Sequence, residues 1–333
     1  MNTEELQQQL FNEIKRKLGE NASVADEVAK LLAISSDCAY RRIRGEKMIS
    51  LDELYKICIH YKISLDQMMD IQTGLFHFQG QLLDSKTYRY DEYLMTTLHW
   101  LAYFNSFKVK EYFYLCKDVP IFHHFYFREL ASFKYYFWLK TIFRFPDFIH
   151  RKFRVDDYPD DFFGLGSKII STYNQIPCVE IWNLESINTM IRQMEYCRDN
   201  QIFDSDREAL KVYEAFEKYL DHLQKQAELG YKFDISDTEK KPLGRFKMYF
   251  NEWILLDNNM MAILDNTKLS IVPHTAINYM ICRDLTFTEK QYQFIQNLMQ
   301  RSTQISEVSE KERSRFFRIL RERIEKRKES LKV

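Results

Sequence analysis

Four side chains between residues 37 and 44 are spaced to act together. Asp37, Tyr40, Arg41 and Arg44 fall at i, i+3, i+4 and i+7, which puts them on one stripe of an α-helix. Arg41, Arg42, Arg44 and Lys47 also lie within seven residues. Cationic groups clustered in this way can donate charge-assisted hydrogen bonds to an anionic partner such as phosphate. The plainer alternative is a solvated helix face. Elsewhere the spacing is wrong for catalysis. His123 and His124 are adjacent, so on a helix they diverge by about 100° and cannot grip one metal as an i, i+4 pair does. H-E-x-x-H and G-x-S-x-G are absent. The stretch from Gly164 to Lys168 (GLGSK) resembles a phosphate loop, but it lacks the first glycine and its Gly-Ser-Lys order is wrong. Segment 155–166 holds four aspartates in no EF-hand spacing and reads as a solvated acidic loop. No enzymatic activity, cofactor or metal is expected.

The stripe needs a frame, and the flanking residues predict one made of helices. Thr3 can cap a first helix whose apolar stripe is Leu6, Leu10, Phe11, Ile14 and Leu18, with Gly19 ending it. Ser23 starts a second helix, with Asp26 and Glu27 in its first turn. Val28, Leu31 and Leu32 face inward, Ala29 allows a close crossing, and the helix ends near Ala33. Ile34 fills the turn, Ser35 caps a third helix, Ala39 and Ile43 pack inward, and Gly45 stops it. Ser50 caps a fourth helix with Leu51, Leu54, Ile57 and Cys58 as its apolar face. Ser64 caps a short fifth ending in Met68 and Met69.

In this order, VAKLLAIS, RRIRGEK and SLDELYKICIHYKISLDQMM resemble the Cro/CI-type (XRE-like) helix-turn-helix domain of bacterial and phage regulators. The resemblance covers roughly residues 10–70, and extends to a group from Bacteroidetes with a long C-terminal domain of no assigned function. It implies a five-helix, lambda-repressor-like domain whose third helix enters the major groove of double-stranded DNA. Carried onto this chain, Ser36, Asp37, Tyr40 and Arg41 would meet base edges, Arg41 being suited to bidentate contact with guanine. Ser35, Arg42, Arg44 and Lys47 would meet phosphate. The function implied is sequence-specific transcription regulation, by a homodimer. Two residues depart from the pattern. Ala25 stands where the family often has a glutamine, and Asp37 suits cytosine N4 or a helix cap better than a phosphate. Residues 1–72 carry 10 Lys+Arg and 12 Asp+Glu, a net charge of −2. An interaction module without specific DNA binding is therefore the alternative.

The remaining chain reads as a larger helical domain. Ile71–Leu83 mixes Gly with apolar residues and reads as a linker, giving domains at 1–72 and 85–333 with residues 73–84 between them. From Tyr103 to Phe148, 18 of 46 residues are aromatic, a density expected to build a stacked helical core or to line a small-molecule or peptide effector pocket. Amphipathic helices are expected over 185–198, 204–227 and 309–330, and helix also over 246–256, 275–282 and 289–299. One β-hairpin is expected around Asp265-Asn266-Thr267-Lys268. From Glu310 onward there are 10 Lys+Arg against 5 Asp+Glu, which suits a docked or dimerising helix or a second contact to DNA backbone. The fold class expected is thus mainly α.

Composition bounds the rest. Among 333 residues, 45% are hydrophobic and 29% charged, which excludes a disordered chain. Only 8 Gly and 6 Pro argue against a protein built on many tight turns. The six cysteines form no C-x-x-C pair, no secretory signal opens the chain, and no stretch of about 18 apolar residues occurs. A cytoplasmic protein with reduced thiols and no membrane partner is expected.

Overall fold

The computed structural model describes residues 2–18, 22–69, 76–80, 89–158, 160–253, 257–275, 278–329 and 331. The chain divides into two units, Met1–His77 and Phe78–Val333.

The first unit consists of α1 (Thr3–Leu18), α2 (Val24–Leu32), α3 (Ser36–Ile43), α4 (Leu51–Tyr61) and α5 (Leu65–Met69). Its starts are written in short polar side chains. Ser23, Ser35 and Ser50 each accept a backbone N–H from the first turn of α2, α3 and α4. For α1 the capping residue is Asn2 rather than Thr3. Its Oδ1 accepts from Glu5 N at 2.8 Å, and Glu5 Oε2 accepts from Asn2 N at 2.8 Å. Ala33 and Lys62 adopt left-handed backbone where α2 and α4 end. Gly45, at φ +79°, follows α3; Gly19 lies outside the described residues. Leu10, Phe11, Ile14, Ala25, Val28, Ala29, Ala39, Ile57 and Tyr61 form the core. Leu51 was expected inside, but it is 85% exposed.

The second unit overturns the mainly α expectation. Its strands are β1 (Phe78–Gln79), β2 (Lys110–Cys116), β3 (Cys178–Trp182), β4 (Phe246–Phe250), β5 (Met260–Leu264), β6 (Thr267–Pro273), β7 (Tyr279–Cys282) and β8 (Thr303–Gln304). Among the described residues they form one sheet in the order β1-β7-β6-β5-β2-β3-β4-β8. The pairs β2–β3 and β3–β4 are parallel, and the others antiparallel. The unit is an α/β fold. The expected hairpin exists as β5–β6, yet it is one pairing within this larger mixed sheet. Segments 246–256 and 275–282, expected as helix, contain β4 and β7 instead.

The physical reason lies in burial on both faces. Every residue of β3 is buried, as are the last five of β2, so neither shows the alternation that marks a half-exposed strand. One face presents Tyr112, Tyr114, Cys178, Glu180, Trp182, Phe246 and Met260 to the main core. The opposite face presents Phe113, Leu115, Val179, Ile181 and Met261 to Ile295.

The helices are α6 (Tyr90–Asn105), α7 (Arg128–Phe137), α8 (Pro146–Ile149), α9 (Asp160–Asn174), α10 (Asn188–Asp199), α11 (Asp206–Leu229), α12 (Leu285–Gln300) and α13 (Glu310–Glu329). A 3₁₀ turn (Ile121–Tyr126) precedes α7, and a π-helical turn (Trp138–Ile142) follows it. Ile295 of α12 covers one sheet face, while α7, α9, α11 and α13 contribute to the main core on the other. The aromatic run from Tyr103 to Phe148 supplies β2 as well as helices, and its rings pack on one another. Phe122 stacks on Tyr173 at 4.7 Å, and Phe133 on Phe203 at 5.7 Å.

The basic α13 is docked through its charges. Arg321 pairs with Asp221 at 2.8 Å, Arg327 with Glu195 at 3.0 Å and Lys328 with Glu217 at 2.5 Å. Arg313 is buried and donates to the carbonyls of Ile305 and Val308, each at 3.0 Å. No helix among the described residues is long and apolar enough to cross a membrane. The 71–83 linker lies largely outside the described residues, and β1 falls within its span.

Candidate nucleic-acid interface

The third helix is held by polar contacts as much as by apolar ones. Ala39 is buried against the core, and Arg42 sits beside it at 4% exposure. Arg42 Nη2 meets Glu53 Oε1 at 2.6 Å, Nε meets Oε2 at 3.1 Å, and Nη1 donates to the Cys38 carbonyl at 2.9 Å. This two-pronged pairing suits the planar guanidinium. It holds the Glu53 carboxyl below its usual range, the Arg42 hydrogen bond outweighing burial. Glu53 also accepts from Ser50 N at 3.0 Å, which completes the capping box of α4. One carboxylate therefore starts α4 and fastens α3 to it.

A second fastening comes from α1. The buried Gln7 amide donates to the carbonyls of Arg42 (2.7 Å) and Lys47 (2.9 Å) and accepts from Ile49 N (2.9 Å). These three bonds fix the chain between α3 and α4. Neither Gln7 nor Glu53 was singled out from the sequence. The Ser50-x-x-Glu53 spacing could have revealed Glu53. Gln7 acts on residues 35 to 42 positions away, and no local pattern encodes that.

Outside this clamp lie the expected contact residues. Tyr40 is 47% exposed, and Asp37, Arg41, Arg44 and Lys47 are exposed as well. Arg41 Nε lies 3.7 Å from Glu46, and Arg44 Nη1 lies 3.2 Å from it. Such exposed pairs hold weakly and can be exchanged for another anion. The Ser36 hydroxyl donates to Asp26 Oδ1 at 3.1 Å, joining α3 to α2, and Ser35 caps α3. Arg42 departs from expectation. It was assigned to phosphate, but it points into the unit and is spent on Glu53. Ala25, the departure from the family pattern, is buried in the core.

The second unit contains a different polar constellation, inside the core. Glu180, on the middle parallel strand, accepts from Tyr173 Oη at 2.6 Å and Trp182 Nε1 at 2.7 Å. His123 Nε2 lies 3.1 Å from Glu180, out of line for a hydrogen bond, while its Nδ1 contacts Tyr219 Oη at 2.8 Å. Burial pushes the Glu180 carboxyl up, but His123, Tyr173 and Trp182 together hold it below its ordinary value. Lys232 donates to the Tyr173 carbonyl at 2.7 Å and is lowered to about 8 by burial. All these groups are buried among aromatic rings, which suits a structural network. His124 turns instead to the Ile121 carbonyl at 3.3 Å, so the two histidines share no partner. The GLGSK segment lies within α9, where Gly166 packs against Phe125, and the acidic 155–166 stretch enters the same helix at Asp160. Among the described residues, no group of three or more His, Cys, Asp or Glu is placed to hold a metal ion.

The chain matches no protein-family model, no curated protein and no solved structure.

Proposed function

We propose that the protein is a sequence-specific, DNA-binding transcription regulator of the cytoplasm. In this reading α3 enters the major groove, with Ser36, Asp37, Tyr40 and Arg41 at base edges and Ser35, Arg44 and Lys47 at phosphates. One observation carries it. On a helix anchored through Ala39 and Arg42, the outward side chains Tyr40, Arg41 and Arg44 stay exposed, and among the described residues Arg41 and Arg44 pair with the exposed Glu46. The six free cysteines support a reducing compartment. The second unit then serves dimerisation, effector sensing or both.

Selection of bound duplexes from a random pool tests this. Wild type should enrich a motif, and Arg41→Ala should lose discrimination at one position, by about 1–3 kcal/mol. Arg44→Ala should weaken all duplexes alike and reduce the slope of affinity against salt by about 1. Wild type binding every duplex equally, or none, sinks the reading. The net charge of −2 over residues 1–72 favours the second reading, a protein-interaction module, and absence of any duplex binding would point to it.

A further inference from the structure

The outer face of α4 is apolar where a solvated helix face should be polar. Leu51, Tyr55 and Ile59 follow one another at i, i+4 and i+8 and are 85%, 67% and 64% exposed; Met48, just before the helix, is exposed as well. They span roughly 12 Å along the axis. None is needed for the core, which α4 joins through Ile57 and Tyr61 on its other side. The four side chains make an apolar patch of roughly 400–500 Å², a size that on monomeric proteins is often functional.

We propose that this stripe is the contact between two copies of the chain, α4 lying antiparallel against α4 of the partner about a two-fold axis at Tyr55. Such a contact is isologous, so the stripe must complement itself. Read antiparallel, Leu51 faces Ile59 of the second copy, and Tyr55 faces its own equivalent. The charges agree with this arrangement. Asp52 and Lys56, which pair at 2.8 Å within one helix, flank the same side of the stripe. Reversing one helix brings Asp52 of each copy beside Lys56 and His60 of the other, and the two Lys56 side chains, which meet next to the axis, are each flanked by an Asp52. The opposite flank carries Leu54 and Cys58, which are uncharged. Two copies bury about 800–1,000 Å² in all, at or just under the lower bound for a specific interface, so the pairing is weak and concentration-dependent. The need for a pair rests on the proposed DNA reading, which calls for two half-sites. The contact itself involves no residue of α3.

The test uses the full chain without DNA, which separates it from the DNA question. Sedimentation equilibrium of wild type should show mass rising toward twice the monomer with concentration. Tyr55→Glu and Ile59→Glu should each raise the dissociation constant at least 100-fold, with unchanged far-UV circular dichroism because both sites are exposed. With Cys38→Ser and Cys58→Ser in the background, Tyr55→Cys should form a disulfide-linked dimer under mild oxidation, since the residue sits on the axis. Arg41→Ala should associate like wild type. An association constant unmoved by both glutamates, or no crosslink through residue 55, overturns the proposal. A wild type that stays monomeric at every concentration, with the stripe covered by the chain's own second unit, overturns it too.

Discussion

Replacing Arg42 by alanine tests whether α3 is held by an ion pair. The change removes two bonds to Glu53 and one to the Cys38 carbonyl. Stranding a buried charge without its partner typically costs about 3–5 kcal/mol. Glu53 keeps its bond from Ser50 N and is partly exposed, so its carboxylate regains some hydration. The expected loss is therefore about 2–3 kcal/mol, from a unit whose total stability is of order 5 kcal/mol. With a urea m-value near 1 kcal/mol/M, the midpoint should fall by about 2–3 M. Far-UV circular dichroism reads the helices of both units, so the first unit's transition is the component that should move. The four tryptophans, at 100, 138, 182 and 253, all lie in the second unit, so their fluorescence follows that unit separately and should not change. Arg42→Lys keeps the charge without the fork and should lose roughly half as much. The pH dependence has a fixed sign. The Glu53 carboxyl is lowered in the folded unit, so its contribution is fully present above the ordinary value of 4.5 and is lost as pH falls through the lowered one. The gap between wild type and Arg42→Ala should therefore close in acid. A midpoint that moves by less than about 0.5 M at pH 7 would falsify the clamp and return Arg42 to the phosphate-binding set.

Three further outcomes are expected. Gln7→Ala should cost about 2 kcal/mol and speed amide exchange at Ile49, whose N–H it now binds; unchanged exchange there would contradict the role assigned to Gln7. In the second unit, burial and the nearby His123 lower His222 to about 4. Its neutral form is favoured by folding, so stability is full above about 6.5 and declines as pH falls toward 4, by up to roughly 3 kcal/mol. His222→Phe should flatten that decline in tryptophan-monitored urea melts, and an identical slope in both proteins argues against it. A Cβ at Gly244 would sit 2.7 Å from the Ile176 carbonyl oxygen and 2.8 Å from that of Asn174, both backbone. Gly244→Ala should therefore destabilise the second unit by more than about 2 kcal/mol, and a neutral effect in the same melts would show that the neighbouring loop yields.

The two units differed in how far the sequence disclosed them, for reasons of chemistry. In the first, helix starts are local events. Ser23, Ser35 and Ser50 cap within three residues of themselves, and the inward pairs Leu10–Ile14 of α1 and Ile57–Tyr61 of α4 each recur at helical spacing. Local rules misjudge a side chain whose partner is distant. Arg42 looks like its neighbours Arg41 and Arg44 until Glu53 is brought against it. Leu51 looks like core because apolar spacing alone does not say which face is covered. In the second unit the long amphipathic α11 and α13 are visible because one face is wet. Strands β2 and β3 are not, because both faces are covered and the apolar run then carries no period. Glu180 shows the same limit in reverse: a charge in mid-strand speaks against burial until His123, Tyr173 and Trp182 are seen around it.

The pairing of β1 with β7 has a consequence for synthesis. Phe78, at the start of the second unit, finds its partner Cys282 near the end of the chain. The first unit's core is built from residues within the first 77, and small helical units fold in microseconds to milliseconds. At 5–20 residues per second, the ribosome needs about 10–50 s more to supply the rest. Throughout that interval a finished helical unit is followed by a growing tail in which the apolar strands β2 and β3 await β5 and β4, and β4 in turn awaits β8. A chain that stalls before residue 304 thus carries a folded N-terminal unit on an incomplete sheet. In such chains the edges left unpaired belong to the apolar central strands rather than to the two-residue β1 and β8, and these expose the molecule to aggregation and to chaperones.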